Sequence, residues 1–143
     1  MASTNTSDYF GGNGGTAFTQ GCPAGSYVTG IGTRAGAWMD AIAMQCSDGT
    51  KLPASGGPGG AVLPPALCPG GFDKIAVTAD SEKVSYVTPY CEGSAMGKLG
   101  GSGNYTEFPP FACPPGSVLS GLDGRGSPYV NALRFTCAPK SSP

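Results

Sequence analysis

Three pairs of cysteines at nearly equal spacing constrain this chain more than any other feature: Cys22 and Cys46, Cys68 and Cys91, Cys113 and Cys137, separated by 24, 23 and 24 residues. Each first cysteine opens a turn phrase, CPAGS at 22–26, CPGGF at 68–72 and CPPGS at 113–117, in which Pro and Gly set the turn. Upstream of each lies a glycine cluster, GGNGG at 11–15, GGPGG at 56–60 and GGSG at 100–103. Marks that recur in one fixed order define internal repeats, running approximately 11–50, 56–95 and 100–139 within a single domain spanning 1–143.

Between the cysteines, segments 27–34, 73–78 and 117–122 are rich in β-formers, and so are the segments ending at each second cysteine. In the latter, period-2 alternation puts Ile42, Met44 and Cys46 on one face, as it does Val87, Pro89 and Cys91, and Leu133, Phe135 and Cys137. A further short strand is expected after each glycine cluster, at 16–18, 61–63 and 105–108. No helical period competes, and the expected class is all-β. Six cysteines allow fifteen pairings, but a unit that arose by duplication carries its bridge internally, which gives Cys22–Cys46, Cys68–Cys91 and Cys113–Cys137. Each bridge is expected to join the start of one strand to the end of its antiparallel neighbour.

Composition narrows the function classes. Charged residues are 12% of the chain and the formal net charge is -1, with no basic run to follow a phosphate backbone, so nucleic acid is not an expected partner. No apolar run approaches a membrane span. The disulfides point to a secreted, extracellular protein, yet MASTNTSDYF lacks an apolar signal core, so any secretion signal is expected to have been removed from this numbering. Asn5-Thr6-Ser7 and Asn104-Tyr105-Thr106 are sequons that suit such a route. The chain has no histidine and no cysteines two to four apart, so neither a zinc site, a Ser-His triad nor any other metal or cofactor is expected. The carboxylates do not recur as a repeat-wise pair suited to glycoside hydrolysis, and the expectation is a protein that is not an enzyme. A homo-oligomer is compatible with the sequence.

GGNGGTAF at 11–18 and GAWMDAI at 36–42 resemble the glycine loop and GxxxD loop of the jacalin-related lectins. The phrases from CPPG at 113 and NALRFTC at 131 also resemble the vitelline membrane outer layer proteins, which share the same architecture and internal disulfides. The resemblance covers nearly the whole chain. It implies a type I β-prism, three four-stranded antiparallel sheets with pseudo-threefold internal repeats, and a lectin-like domain whose partners are glycans or glycoconjugates. The other function it implies is a disulfide-stapled structural protein of an extracellular coat or matrix.

A shallow sugar site needs exposed main-chain amides, a carboxylate that accepts hydroxyl protons and an apolar surface. In the lectins it lies where a GxxxD loop meets the glycine loop of the next repeat. Carried over, Gly36 and Asp40 end the GxxxD loop, Ala37 and Trp38 supply amides, and Gly59 and Gly60 come from the next glycine cluster. Ala37 stands where some mannose-binding members carry a second acid. Trp38, the single tryptophan, is suited to stack on a sugar face. The structural alternative has Trp38 covering an edge of the core and Asp40 paired with Arg34.

Six residues before each second cysteine stand Asp40, Ser85 and Asn131. A second site is therefore expected at Asn131 with Gly126 and Tyr129, facing Gly14 and Gly15, although Ser127 replaces the first glycine of the motif and Pro128 removes an amide. The second repeat has Lys83, Val84 and Ser85 with no glycine, and reads as a structural copy. Arg34 and Arg125, six residues before Asp40 and Asn131, are candidates to orient those two residues, the alternative being a solvated surface position.

Overall fold

The β-rich segments between the cysteines form three long hairpins: Val28–Ala35 with Met39–Cys46, Phe72–Ala79 with Val84–Cys91, and Ser117–Gly126 with Val130–Pro139. The computed structural model describes residues 5–103, 105–126 and 129–140. Asn104, Ser127 and Pro128 lie outside them, as does the side chain of Asn5, so neither sequon side chain is described, nor is part of the third-repeat loop. None of the described residues is helical.

Each hairpin forms the centre of a sheet with four strand positions, and most of the outer positions are broken into short pieces. Pro64-Pro65 divides Ala61–Val62 from Ala66–Leu67, and Pro109-Pro110 divides Thr106–Glu107 from Phe111–Ala112, because proline donates nothing to a ladder. The equivalent edge in the remaining sheet has no proline and runs unbroken as Thr16–Gly21.

The edge strand after each glycine cluster pairs with the hairpin of the preceding repeat. Ala61–Val62 joins Val28–Ala35, Thr106–Glu107 joins Phe72–Ala79, and Thr16–Gly21 closes the ring on Ser117–Gly126. Asn5–Thr6 and Phe10–Gly11 add to the other side of that last hairpin, along Val130–Pro139. The three sheets thus enclose a common core around a pseudo-threefold axis, an all-β prism. Phe72, Phe135, Ile31, Ile42, Met44, Ile75, Leu119 and Leu133 are fully buried within it; of the faces expected to point inward on the second strands, all are buried except Cys91, which is partly exposed.

The disulfides join the expected cysteines but not in the expected way. Cys22 N–H donates to Ser120, Cys68 N–H to Thr29 and Cys113 N–H to Asp73, so each first cysteine extends the edge of the sheet before its own hairpin. Its partner Cys46, Cys91 or Cys137 lies in the next sheet, with Cα atoms 5.6 to 5.8 Å apart. Each bridge therefore staples two sheets together at one corner of the prism, instead of tying two strands of one hairpin. Gln20, buried two residues before Cys22, reinforces that first corner. Its amide donates to the Ile42 carbonyl and the Ser55 hydroxyl and accepts from Met44 N–H, completing a gap in the neighbouring edge.

Candidate functional site

The row of core-facing side chains on each second strand ends at one residue that behaves differently. Arg34 pairs with Ala41 and Ala35 with Met39, which leaves Asp40 as the extra residue of a β-bulge. The same count leaves Asn131 extra between the pairs Arg125 with Ala132 and Gly126 with Val130, and Ser85 extra between Ala79 with Val84 and Thr78 with Tyr86. A bulge re-aims its side chain and strengthens local twist, and here it does so three times at one end of the prism.

Each bulge is covered by the first glycines of a cluster. Gly57 N–H donates to the Asp40 carbonyl at 2.7 Å, Gly12 N–H to Asn131 at 2.9 Å and Gly101 N–H to Ser85 at 2.6 Å. Gly56, Gly11 and Gly100 precede these donors with φ of +120°, +122° and +133°, and a β-carbon on any of them would strike the bulged backbone. Glycine is required there by conformation and by space.

Beyond this crossing, the cluster folds back over the bulged side chain. Gly59 and Gly60 lie against the Asp40 carboxylate, and Gly14 and Gly15 lie against the Asn131 amide. Arg34 fixes the first of these loops, donating to the carbonyls of Pro58, Gly59 and Gly60 at 3.1 to 3.2 Å. Arg125 does the same for Asn13, Gly14 and Gly15 at 3.1 to 3.3 Å. This corrects the expectation that the arginines orient Asp40 and Asn131: they clamp the glycine loops. Asp40 makes no ion pair with Arg34 among the described residues. Burial raises the Asp40 pKa above the ordinary aspartate value, and the nearby Arg34 charge opposes that shift.

Among the described residues, the amides of Ala37, Trp38, Gly59 and Gly60 donate to no acceptor, and those of Gly59 and Gly60 belong to the loop that lies against the carboxylate, which has no ion-pair partner there. Gly36 and Ala37 are exposed, but their carbonyls accept from Ser102 and Gly103 of the third glycine cluster, which steadies the loop from the opposite side. At the third-repeat position, Asn131 Nδ2 donates to the Glu82 carbonyl at 2.9 Å, and among the described residues the buried Oδ1, on the side of Gly15, has no hydrogen-bond partner. Gly126 lies against Gly15. In the second repeat the Ser85 hydroxyl donates to Gly103 at 3.2 Å, and Ala79 replaces the clamping arginine.

Trp38 is half-buried, and neither the core nor solvent alone claims it. Its ring meets Tyr129 edge-on at 5.8 Å between centroids, with the Lys83 ammonium 5.0 Å over its face. Lys83, expected only as part of a structural copy of the loop, is brought into contact with Trp38 at this end of the prism. The signal for it is the spacing of eight residues before each second cysteine, shared by Trp38, Lys83 and Tyr129.

No protein-family model matches the chain, and no curated protein does. Solved structures do match. Malaysian banana lectin superposes with a TM-score of 0.77 at 18% identity, covering 96% of this chain and 99% of its own. Calystegia sepium agglutinin gives 0.77 at 21%, covering 96% and 98%. A mannose-binding jacalin-related lectin from Ananas comosus gives 0.74 at 24%, covering 95% and 98%. The chain has the three-sheet prism fold of the jacalin-related lectins over nearly its whole length.

Proposed function

We propose that this domain is an extracellular lectin that binds glycans through the loop ending at Asp40, without enzymatic activity. The observation that supports the reading is the closure of an arginine-clamped glycine loop over Asp40, with Gly59 and Gly60 against its carboxylate. A pyranose presents adjacent hydroxyls that both donate and accept, and such a cluster answers both. Asp40 accepts hydroxyl protons, Gly60 and Trp38 offer amides, and the absence of side chains at Gly59 and Gly60 lets a ring approach the backbone. Asn131 with Gly14, Gly15, Gly126 and Tyr129 forms a second, uncharged version, in which the Asn131 amide lies beneath the glycine loop and the sugar would meet the loop backbone. The second repeat serves as support. The structural neighbours include lectins described as mannose-binding, which fits sugar recognition at this end of the fold. Three disulfides suit an oxidising, extracellular setting. A glycan array probed with the native protein tests the reading: reproducible binding to a related set of glycans supports it, and a blank array refutes it in favour of a structural coat protein.

A further inference from the structure

Two of the glycine clusters each touch two hairpin loops. Gly12 N–H donates to the Asn131 carbonyl, and a β-carbon on Gly12 would strike the backbone of Ser81 and Glu82 in the second-repeat loop. Gly101 N–H donates to the Ser85 carbonyl, and a β-carbon on Gly101 would strike the backbone of Ala37 and Trp38 in the first-repeat loop. The third cluster thus fills the space between the bulge of the second repeat and the loop that leads to Asp40. Gly103 ties its far end: its N–H donates to the Ala37 carbonyl at 2.8 Å, and its own carbonyl accepts from the hydroxyl of the fully buried Ser85 at 3.2 Å.

The second repeat grips the same loop through a side chain. The Lys83 ammonium lies 5.0 Å from the centre of the Trp38 ring and 5.4 Å from that of Tyr105, and only 15% of its side chain is exposed. Asp80 Oδ2 lies 3.4 Å from the ammonium, and Asp80 Oδ1 accepts from the amides of Glu82 and Lys83, both at 2.7 Å, so the carboxylate is itself fixed. The more exposed Glu82 carboxylate stands at 3.8 Å. A cation over an aromatic face is attracted by the ring quadrupole, and more strongly where water is excluded. The Trp38 ring is thereby fastened to the second repeat, as the glycine loop over Asp40 is fastened to the first by Arg34.

We propose that the second-repeat loop, which carries no sugar motif, positions the first-repeat site: Lys83 sets the Trp38 ring, and Ser85 sets the Ala37 backbone through Gly103. This rests on the glycan-binding reading and adds two residues that govern affinity at that site. Both are positioning residues, acting on the Ala37 and Trp38 amides and not on the sugar. Donors fixed before the ligand arrives spare binding the entropy of ordering them.

Calorimetric titration with mannose and with galactose, beside amide hydrogen exchange without sugar, tests this in Lys83→Met, Lys83→Arg and Ser85→Ala. In Lys83→Met, affinity for whichever of the two sugars the native protein binds should fall roughly fivefold, because the loop must then be ordered as the sugar binds. Ser85→Ala should act in the same direction, and Lys83→Arg, which keeps a cation over the ring, should restore affinity to within about twofold. Protection of the Gly36 and Gly103 amides, which donate to Trp38 and Ala37, should fall in Lys83→Met and Ser85→Ala, while that of Gly57, which donates to Asp40, should be kept. Lys83→Met carries the test if Ser85→Ala does not fold. Native or tighter affinity in Lys83→Met, or a loss of protection that extends to Gly57, overturns the positioning role while leaving the Asp40 site standing. If the native protein binds neither sugar, the glycan-binding reading fails and the positioning role with it.

Discussion

Gly60 lies so close to the carboxylate of Asp40 that a β-carbon on it would collide with Oδ2, and it holds φ at +73°. The glycine loop and the acidic bulge are therefore complementary surfaces, each shaped by the other. Gly60→Ala should displace the loop from Asp40 and abolish sugar binding. The left-handed conformation adds a cost of roughly 1–2 kcal/mol, because L-residues crowd their own carbonyl there. Thermal melts beside sugar titrations should show a folded protein of reduced stability that no longer binds.

Asp40→Asn separates binding from stability. Because burial raises its pKa, the folded state holds the Asp40 proton more tightly than the unfolded chain does. Ionised Asp40 thus opposes folding above its unfolded pKa, and removing the charge should leave the melting temperature at pH 7 unchanged or slightly higher. Binding at this site should weaken by roughly 1.5–3 kcal/mol, the range for a hydrogen bond to a charged group. In the native protein, affinity should begin to fall on acidification at a higher pH than an ordinary aspartate would give. A drop in stability that parallels the loss of binding would assign Asp40 to the scaffold instead.

Asp123 has the opposite sign. Burial alone would raise its pKa, but hydrogen bonds from Arg134 and Thr19, both 2.8 Å, together with the Arg134 charge lower it. Its contribution is present above the unfolded aspartate pKa and is lost as pH falls through the lower folded value. Melting temperature followed from pH 7 into the acid range should fall less steeply in Asp123→Asn than in the native protein. Parallel curves would show that the Thr19, Asp123 and Arg134 ladder carries no such dependence.

Because each disulfide staples a different corner, removing one should open one corner only. Replacing Cys22 and Cys46 together by alanine should cost roughly 3 kcal/mol in the chain-entropy model. Hydrogen exchange should then rise first along Thr16–Gly21, the edge strand that leads into Cys22. Uniform acceleration across all three sheets would mean that the corners do not act separately.

The prism was legible in the sequence to the extent that its marks are compositional. Cysteine spacing, glycine clusters and the alternating row through Leu133, Phe135 and Cys137 all announce themselves. The exchange of edge strands does not, because nothing local in TAFTQG at 16–21 shows that its partner is Gly121 to Gly126 at the far end of the chain. The bulges at Asp40, Ser85 and Asn131 are equally silent, since an extra residue in a ladder has no residue type of its own. Asp40 and its glycine loop could be named from a motif. The arginine clamp could not, because Arg34 stands six residues before Asp40 yet reaches the backbone of Pro58, Gly59 and Gly60. Lys83 was legible as part of a degenerate loop, but its contact with Trp38 was not: such a copy carries no motif, and only its position eight residues before Cys91 links it to Trp38 and Tyr129.

Backbone amide chemical shifts recorded during titration with mannose, galactose and their oligosaccharides locate any bound sugar directly. Glycan binding through the glycine-loop sites requires shifts at Gly36 to Asp40 and at Gly59 and Gly60, with a second set at Gly14, Gly15, Tyr129 and Asn131. A spectrum unmoved by every sugar, or shifts confined to sheet faces away from these loops, would contradict it.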